Sequence, residues 1–441
     1  MKSVLIMILA VGIVVLAVLA VRRLSVGREH STLTYYAVLF AASFLARGLF
    51  VLLVKTEQYS DFQLLWYVAN EIARGTPKYL DQRYFSLWAY QTAFPAVMSP
   101  FVKLLPGGVD SLLLVNCAFM ALNNLCIFYN VNKLGVSKRA AFVLSLLYLL
   151  VPYPYALTTV FTNQHLASLL NYLGICFLLS GKDFALKSCI LGGLFIAFGN
   201  IIRPEGVLSV AAAVCLFAFT GKKLPEKAVS CLSFLAVYFL AGLLASQLFI
   251  VTGLNPKGLT NEIPMYKFVV GLNYESIGRF TDSDATIIMD TPPFNESKAS
   301  MNEKAVSMIR ERLSSPVSKL AVLAARKANI MWTAADTEGY PVFQGRSNSE
   351  KSAFAVLDSL VMTALFGLAA VFFFITGKRG NLSPAAIFLA AFILATVCAF
   401  LAVEVQRRYG YILMPALFIA ASTALHTGVL RKKNLDYPHE I

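Results

Sequence analysis

Ionisable residues that could do chemistry stand at the ends of apolar segments. Such residues cost free energy beside a membrane unless they are paired or functional. The set comprises Asp61, Arg203, Glu205, Glu404, Arg407 and Arg408. Arginine binds phosphate and other anions through a planar fork of donors. The residue types therefore predict an anion-binding site with carboxylates close to it.

The arginines favour an anionic ligand at the membrane surface. Arg47, about two turns inside the end of its apolar segment, points the same way. An alternative is that these arginines extend to the interface and bind lipid phosphates. Asp358, near the end of a later segment, is a candidate partner that would neutralise one of them.

Asp61 opens an amphipathic stretch, YSDFQLLWYVANEIARG, at residues 59–75. The residues with helical spacing on its apolar face are Phe62, Leu65, Trp66, Ala69, Ile72 and Ala73. The pattern predicts a helix lying on the membrane, with a capping box at Ser60 and Gln63 and an end at Gly75. An alternative role for Asp61 is a favourable interaction with the helix dipole.

The elements around these residues are those of an integral membrane protein. The 441 residues are 58% hydrophobic and 14% charged, with a mean hydropathy of +0.67. The net charge of +14 comes from basic residues in short loops between apolar runs, which indicates membrane topology and not nucleic-acid binding. The seven cysteines lie inside apolar segments, where neither disulfides nor a metal site are expected.

About eleven segments are long enough, or nearly so, to cross the bilayer. They are Val4–Val21, Tyr35–Val54, Ser111–Asn132, Ala140–Leu157, Leu166–Ser180, Ser188–Ile202, Val207–Thr220, Ala228–Val251, Phe354–Thr376, Ala385–Val403 and Tyr409–Gly428. The sixth and seventh are short, so a re-entrant hairpin is an alternative for them. The stretch Thr92–Leu105 is a further candidate for a partial span.

Basic clusters on every second loop define one orientation. They are Arg22/Arg23/Arg28, Lys133/Lys138/Arg139, Lys182/Lys187, Lys222/Lys223/Lys227, Lys378/Arg379 and Arg431/Lys432/Lys433. By the positive-inside rule the N-terminus lies outside and the C-terminus in the cytoplasm. The sequence predicts a multi-pass protein of the cell membrane whose functional site is on the exterior face.

The domain organisation follows from the loops. Residues 1–252 form an N-terminal membrane module that includes the exterior loop 55–110, residues 253–352 form a large exterior loop, and residues 353–441 form C-terminal hairpins and a cytoplasmic tail. The large loop is too long for a connector. It contains PMYKFVVGLNYESIGRF, suited to lining a pocket, and a helical pattern over Lys304–Ala325. It either covers the site or only stabilises the bundle.

Five motifs, taken in order with the topology, resemble a known superfamily. They are SDFQLLWYVANEIARG, the spaced Tyr90, Phe94 and Pro95, NIIRPEG (200–206), KANIMW (327–332) and EVQRRYGYILMP (404–415). The chain resembles the GT-C superfamily of membrane glycosyltransferases, in particular the branch with the protein O-mannosyltransferases and the lipid A aminoarabinose transferase.

The resemblance implies an all-α polytopic membrane protein that moves a sugar, with inversion, from a polyprenyl-phosphate carrier to a surface glycan, lipid or protein. It implies Asp61 as the general base and Arg203, Arg407 and Arg408 as ligands of the donor phosphate. Secondary candidates are Glu205, Glu404, His165, Tyr90, Lys327 and Trp332. No cofactor is required, no metal ligands are assigned, and a divalent metal is an alternative source of positive charge.

The turn VFTNQHL (160–166) departs from the superfamily, which often has a second acidic residue here. His165 could act as a base instead, or serve only as a hydrogen-bonded structural residue. Competing functions are an O-antigen ligase or polymerase using a diphosphate-linked glycan, a polyprenyl-lipid transporter, and a scaffold or receptor. Charges at one face and the lack of internal repeats disfavour the transporter.

Overall fold

The computed structural model describes most of the chain. The described residues are 31–181, 185–219, 223–292, 297–333, 340–378 and 382–434, with residues 295, 337 and 380. The predicted first span, Val4–Val21, and the basic residues Arg22, Arg23, Arg28, Lys182, Lys222 and Arg379 lie outside them. In the described part helices predominate and no strand occurs, which confirms the predicted all-α class.

The helices are numbered in chain order. Those before the large loop are α1 (Thr32–Leu53), α2 (Ser60–Arg74), α3 (Arg83–Leu87), α4 (Ala93–Leu104), α5 (Val109–Lys133), α6 (Lys138–Leu147), α7 (Tyr153–Thr158), α8 (Gln164–Ser180), α9 (Leu186–Ile202), α10 (Gly206–Phe219) and α11 (Leu224–Val251). Those that follow are α12 (Tyr266–Gly271), α13 (Asp282–Ala285), α14 (Lys298–Leu313), α15 (Val317–Ala328), α16 (Asn348–Lys378), α17 (Pro384–Ala402) and α18 (Leu413–Asn434). A 3₁₀ turn, Arg407–Ile412, leads directly into α18.

Within the described residues, six segments are long and apolar enough to cross a membrane: α1, α5, α11, α16, α17 and the stretch from Arg407 to Thr427. The helices α8, α9 and α10 are apolar but have only 17, 17 and 14 residues. The predicted count of eleven spans is therefore not confirmed, although a multi-pass membrane protein is.

The predicted span Ala140–Leu157 is wrong as a single helix. The chain leaves α6 at Leu147, makes a 3₁₀ turn, and resumes in α7 only at Tyr153. Pro152 and Pro154 explain the break, because proline lacks the backbone N–H that a continuing helix needs and restricts the residue before it.

Small residues allow the central helices to pack closely. Helix α9 packs against α8 and α11, α1 against α5, α10 against α17, and α16 against α18. A Cβ on Gly193 of α9 would lie 2.6 Å from the carbonyl oxygen of Phe234 in α11, and one on Gly174 of α8 would lie 2.9 Å from the carbonyl oxygen of Gly192. Close backbone approach of this kind is typical of membrane helix interfaces.

The described part of the large loop at residues 253–352 docks on the end of α17. The helical pattern predicted over Lys304–Ala325 is divided between α14 and α15, with Pro316 at the boundary. Gly271, at the end of α12, approaches α17 so closely that a Cβ there would lie 2.3 Å from the carbonyl carbon of Val403. The Nζ atom of Lys327 donates to the carbonyl oxygens of Gly271 (2.7 Å) and Leu401 (2.6 Å) across this junction.

Candidate functional site

Asp61 is presented by the first turn of α2. The helix ends at Gly75 in the left-handed conformation, as predicted, but the predicted capping box is wrong: Tyr59 is the N-cap residue and no side chain caps the helix. Ser60 instead has a φ of +52°, a conformation that non-glycine residues seldom adopt. Phe62 and Leu65 are buried and anchor the helix, while the Asp61 side chain is 37% exposed.

Arg408 pairs with Asp61 across 347 positions of sequence. Its Nη2 atom lies 2.6 Å from Oδ2 of Asp61, and its Nε donates to Gln406. Its guanidinium also lies over the Phe62 ring, at 5.3 Å from the centroid. Burial raises the pKa of Asp61, but the charges of Arg408, Lys267 and Arg203 outweigh it and hold that pKa below its usual value.

Arg203 pairs with Glu205 in the turn between α9 and α10. Its Nε donates to Oε1 of Glu205, and its Nη1 donates to Oδ1 of Asn163 at 3.2 Å. Burial raises the pKa of Glu205 above its usual value, although Arg203 opposes the shift. Asn163, in the turn that lacks the second carboxylate, thus orients one of the cations.

Lys267 of α12 is a site residue that the sequence analysis missed. Its ammonium group donates to Oε2 of Glu404 and, at 3.1 Å, to the hydroxyl of Tyr409. Gln406 links this pair to Arg408, because its Nε2 donates to Oε1 of Glu404 at 2.7 Å. The stretch around Lys267 was predicted to line a pocket, but no spacing in the sequence indicates which of its residues reaches the site.

The Tyr409 ring is shared by three cations. The guanidinium carbon of Arg203 lies 4.9 Å from its centroid, Nζ of Lys267 5.5 Å, and the guanidinium carbon of Arg408 5.7 Å. The three ion pairs around this ring are called the ion-pair cluster below. It consists of Asp61, Arg203, Glu205, Lys267, Glu404 and Arg408.

Two further tyrosines lie in the electrostatic environment of the ion-pair cluster. Burial raises the pKa of the Tyr84 phenol strongly, and the charge of Asp61 adds to the shift. Burial likewise raises the pKa of Tyr90, with opposing effects from Lys267 and Asp61. Tyr90 was a secondary candidate, whereas Tyr84 was not predicted. The raised pKa values keep both phenols protonated near neutral pH.

Arg407 lies apart from the ion-pair cluster, although it was predicted to bind the donor phosphate with its neighbour. It is fully buried, and its Nη2 donates to Oδ2 of Asp358 at 2.8 Å. The Tyr153 ring covers the guanidinium at 4.1 Å. Asp358 neutralises this arginine inside the bundle, so Arg407 is not accessible to a ligand at the membrane surface.

His165 is likewise enclosed by the bundle. It is 0% exposed, with Nδ1 3.0 Å from the hydroxyl of Tyr411 and Nε2 3.1 Å from the carbonyl oxygen of Leu157. The neighbouring Gln164 supports the site instead, since its Nε2 donates to the carbonyl oxygen of Arg408 at 2.7 Å.

Lys327 and Trp332 lie towards the end of the large loop at residues 253–352. Besides its bonds to Gly271 and Leu401, Lys327 donates to the carbonyl oxygen of Val403 at 2.8 Å, directly before Glu404. Burial lowers its pKa to about 8. Trp332 is buried and packs on Phe366 at a centroid distance of 6.0 Å. Both residues hold the loop in place.

The arrangement combines an exposed carboxylate with arginine and lysine donors around one aromatic ring. A carboxylate of this kind can accept a proton, and the cations can bind an anionic group through charge-assisted hydrogen bonds. In the described part of the chain, no three His, Cys, Asp or Glu side chains are grouped as metal ligands would be.

Sequence comparisons find no relative of known function. No protein-family model matches the chain, and no curated protein matches it in sequence.

The fold, in contrast, matches solved structures of the oligosaccharyltransferase of the archaeon Archaeoglobus fulgidus. The apo crystal structure matches with a TM-score of 0.51 and 13% identity, over 91% of this chain and 51% of that one. A crystal structure tethered to an acceptor peptide with the NVT sequon has a TM-score of 0.50 and 13% identity, over 91% and 50%. The AglB complex with an inhibitory peptide and a dolichol-phosphate has a TM-score of 0.50 and 12% identity, over 92% and 52%.

The chain therefore spans about half the length of the structures that it matches. At 12–13% identity the likeness shows a shared fold, and the predicted superfamily and its branch stay predictions.

Proposed function

We propose that the protein is an inverting glycosyltransferase that moves a sugar from a polyprenyl-phosphate carrier to an acceptor hydroxyl at the exterior face of the cell membrane. The observation that carries this proposal is the ion-pair cluster, in which the partly exposed Asp61 lies near three cations assembled around Tyr409. The fold supports the proposal, because it is shared with oligosaccharyltransferase structures, one of which was solved with a dolichol-phosphate.

Asp61 is the general base in this proposal. The acceptor oxygen attacks the anomeric carbon and its proton passes to the Asp61 carboxylate, while the bond from the anomeric carbon to the phosphate oxygen breaks. The lipid phosphate leaves with the bonding electron pair. Because the acceptor attacks the opposite face in a single displacement, the configuration of the anomeric carbon inverts. General base catalysis typically contributes about 10²- to 10⁴-fold to the rate.

Arg408, Arg203 and Lys267 stabilise the charge that develops on the leaving phosphate. Preorganised cations contribute most where charge develops in the transition state. Lys267 thereby replaces Arg407 in the predicted set, because Arg407 is buried against Asp358. Neutral Tyr84 and Tyr90 are placed to donate hydrogen bonds to sugar or phosphate oxygens.

A second candidate is an enzyme that transfers a glycan from a diphosphate carrier. The specific observation in its favour is the fold shared with an oligosaccharyltransferase solved with a dolichol-phosphate and with an acceptor peptide. The acceptor class, whether glycan, lipid or protein, is a further part of this proposal. The transporter alternative has no comparable support.

The test is sugar transfer by purified protein in liposomes, with labelled undecaprenyl-phosphate sugars as donors and a membrane extract as acceptor. Asp61→Asn should lose transfer by at least about 10²-fold because the base is removed. The matched control is Asp110→Asn. Asp110 lies in the first turn of α5, is 42% exposed and pairs with Lys55, so its variant should retain wild-type transfer.

If Asp61→Asn kept full activity, Asp61 would not be the general base. Transfer only from a diphosphate-linked glycan would favour the second candidate. If EDTA abolished activity and a divalent metal restored it, a metal ion would be neutralising part of the charge on the leaving phosphate.

A further inference from the structure

The ion-pair cluster is electrically balanced in the absence of a ligand. Arg408 pairs with Asp61, Arg203 with Glu205, and Lys267 with Glu404. Three positive and three negative side chains leave no net charge to attract an anion. A site for a phosphate group would be expected to hold a surplus of cationic donors.

A phosphate that enters this cluster must therefore displace a carboxylate from its cationic partner. The released carboxylate must then be solvated or protonated, because an unpaired buried charge is strongly unfavourable. The three pairs differ in how well they meet this requirement.

Glu404 and Glu205 are poorly placed to lose their partners. The Glu404 side chain is only 1% exposed and is also bound by Gln406 and Tyr409. The Glu205 side chain is 10% exposed, and its partner Arg203 belongs to the same short turn, two residues away.

Asp61 is the exception. Its side chain is 37% exposed, so water can solvate the carboxylate once Arg408 has left. The pair joins two separate elements, the first turn of α2 and the 3₁₀ turn before α18. A small movement of α2 can therefore open it without breaking either element.

Arg408 stays in position when Asp61 is released. Its Nε donates to Gln406, its guanidinium lies over the Tyr409 ring, and its carbonyl oxygen is bound by Gln164, all of them outside α2. The donor nitrogen that faces Asp61 then becomes free for a new acceptor.

We propose that the donor's phosphate takes Arg408 from Asp61, so that the catalytic carboxylate is released only when the donor is bound. This inference rests on the proposed function and adds to it a coupling between donor binding and the base. In the resting state Asp61 is occupied and cannot activate water in place of the acceptor, which would limit hydrolysis of the donor.

This exchange, in which phosphate replaces Asp61 as the partner of Arg408, can be measured through its effect on phosphate affinity. Since Asp61 and phosphate compete for the same guanidinium, removing the Asp61 charge should strengthen phosphate binding. The probe is undecaprenyl phosphate without sugar, added to the full-length protein in phosphatidylcholine nanodiscs. We expect Asp61→Asn to bind it about tenfold more tightly than wild type, within the usual range of coupling between sites.

Three further variants complete the experiment. Arg408→Gln should bind the probe about tenfold more weakly, and Arg408→Lys, which keeps the charge if the glutamine variant misfolds, should bind with intermediate affinity. Asp110→Asn is the matched control, with unchanged affinity.

The outcomes separate the two proposals. If wild type binds the probe and Asp61→Asn binds it no more tightly, the exchange is overturned while the proposed function stands. If neither protein binds undecaprenyl phosphate, the polyprenyl-phosphate donor and the exchange both fail. Displacement of the lipid by an equal concentration of inorganic phosphate would assign the exchange to free phosphate and overturn its role in donor binding.

Discussion

Two adjacent arginines, Arg407 and Arg408, have opposite environments. They open a 3₁₀ turn, in which successive side chains point about 120° apart. One therefore enters the bundle and meets Asp358, while the other, with a side chain 15% exposed, meets Asp61. The same residue type is fully buried at one position and partly exposed at the next.

Arg407→Met should destabilise the protein rather than impair chemistry directly. The change leaves the Asp358 carboxylate unpaired in a site where its side chain is only 1% exposed. Breaking a buried pair in this way costs about 3–5 kcal/mol. Thermal unfolding in detergent, followed by tryptophan fluorescence, measures the loss.

The double variant Arg407→Met/Asp358→Leu is the control. Replacing both charges with apolar groups should recover most of the lost stability, since buried ion pairs are seldom more stable than apolar pairs of similar volume. A double variant as unstable as the single one would contradict the account of this pair.

The pH dependence of transfer should differ between free and donor-bound protein. In the free protein the ion-pair cluster holds the pKa of Asp61 below its ordinary value of 3.8, so kcat/KM should not fall through protonation of Asp61 above about pH 4. With donor bound, Arg408 is engaged elsewhere and the pKa of Asp61 rises. The acid limb of kcat should therefore lie at higher pH than that of kcat/KM.

Glu205→Gln provides the control for this profile. Burial raises the pKa of Glu205, so a limb that disappears in this variant belongs to Glu205 and not to Asp61. Glu404 is the third carboxylate facing the site, and Glu404→Gln tests its share in the same way. Coincident limbs of kcat and kcat/KM, unaffected by either variant, would contradict the exchange.

At the scale of elements, the start of α2 shows what a local pattern can miss. The spacing of Ser60 and Gln63 resembled a capping box, and the buried positions Phe62, Leu65 and Ala69 followed the predicted apolar face. Tertiary packing nevertheless holds Ser60 at positive φ and leaves Tyr59 as the N-cap. Glu71, which lies outside the predicted apolar face, is 6% exposed and accepts a hydrogen bond from Thr76.

Ser60→Val should lower stability and misplace Asp61. A β-branched residue at a φ of +52° is strained, and such strain costs about 1–3 kcal/mol. Thermal unfolding and transfer are the measurements, and both should decline.

Ser60→Gly is the matched change at this position, because glycine adopts positive φ without steric cost. It should retain transfer and unfold at or slightly above the wild-type temperature. Equal stability of the valine and glycine variants would show that backbone conformation at residue 60 does not position the carboxylate.

At the scale of the whole molecule, hydropathy predicted the fold class well and side-chain pairing poorly. Each of the long apolar helices has a length and hydropathy readable from local sequence, whereas the break between α6 and α7 follows from Pro152 and Pro154. Which cation meets which carboxylate depends on contacts between residues as far apart as Asp61 and Arg408, or Lys267 and Glu404. No local rule contains that information, and Lys267 was missed for this reason.

The helices also relate the site to the basic loops. Helix α9 begins beside Lys187 and ends beside Arg203, and α17 ends beside Glu404, so the ion-pair cluster and the basic residues lie at opposite ends of the same helices. If the basic end is cytoplasmic, as the positive-inside rule predicts, the ion-pair cluster faces the exterior.

Cysteine labelling at the two ends of α5 tests this orientation. Asp110 lies in the first turn of the helix and Lys133 ends it, and its 25 residues span about 37 Å, enough to cross the bilayer. A membrane-impermeant maleimide should label Asp110→Cys in intact cells and label Lys133→Cys only after permeabilisation. The seven native cysteines lie within helices and should contribute little background. The reverse pattern would place the ion-pair cluster on the cytoplasmic side and require a donor displayed there.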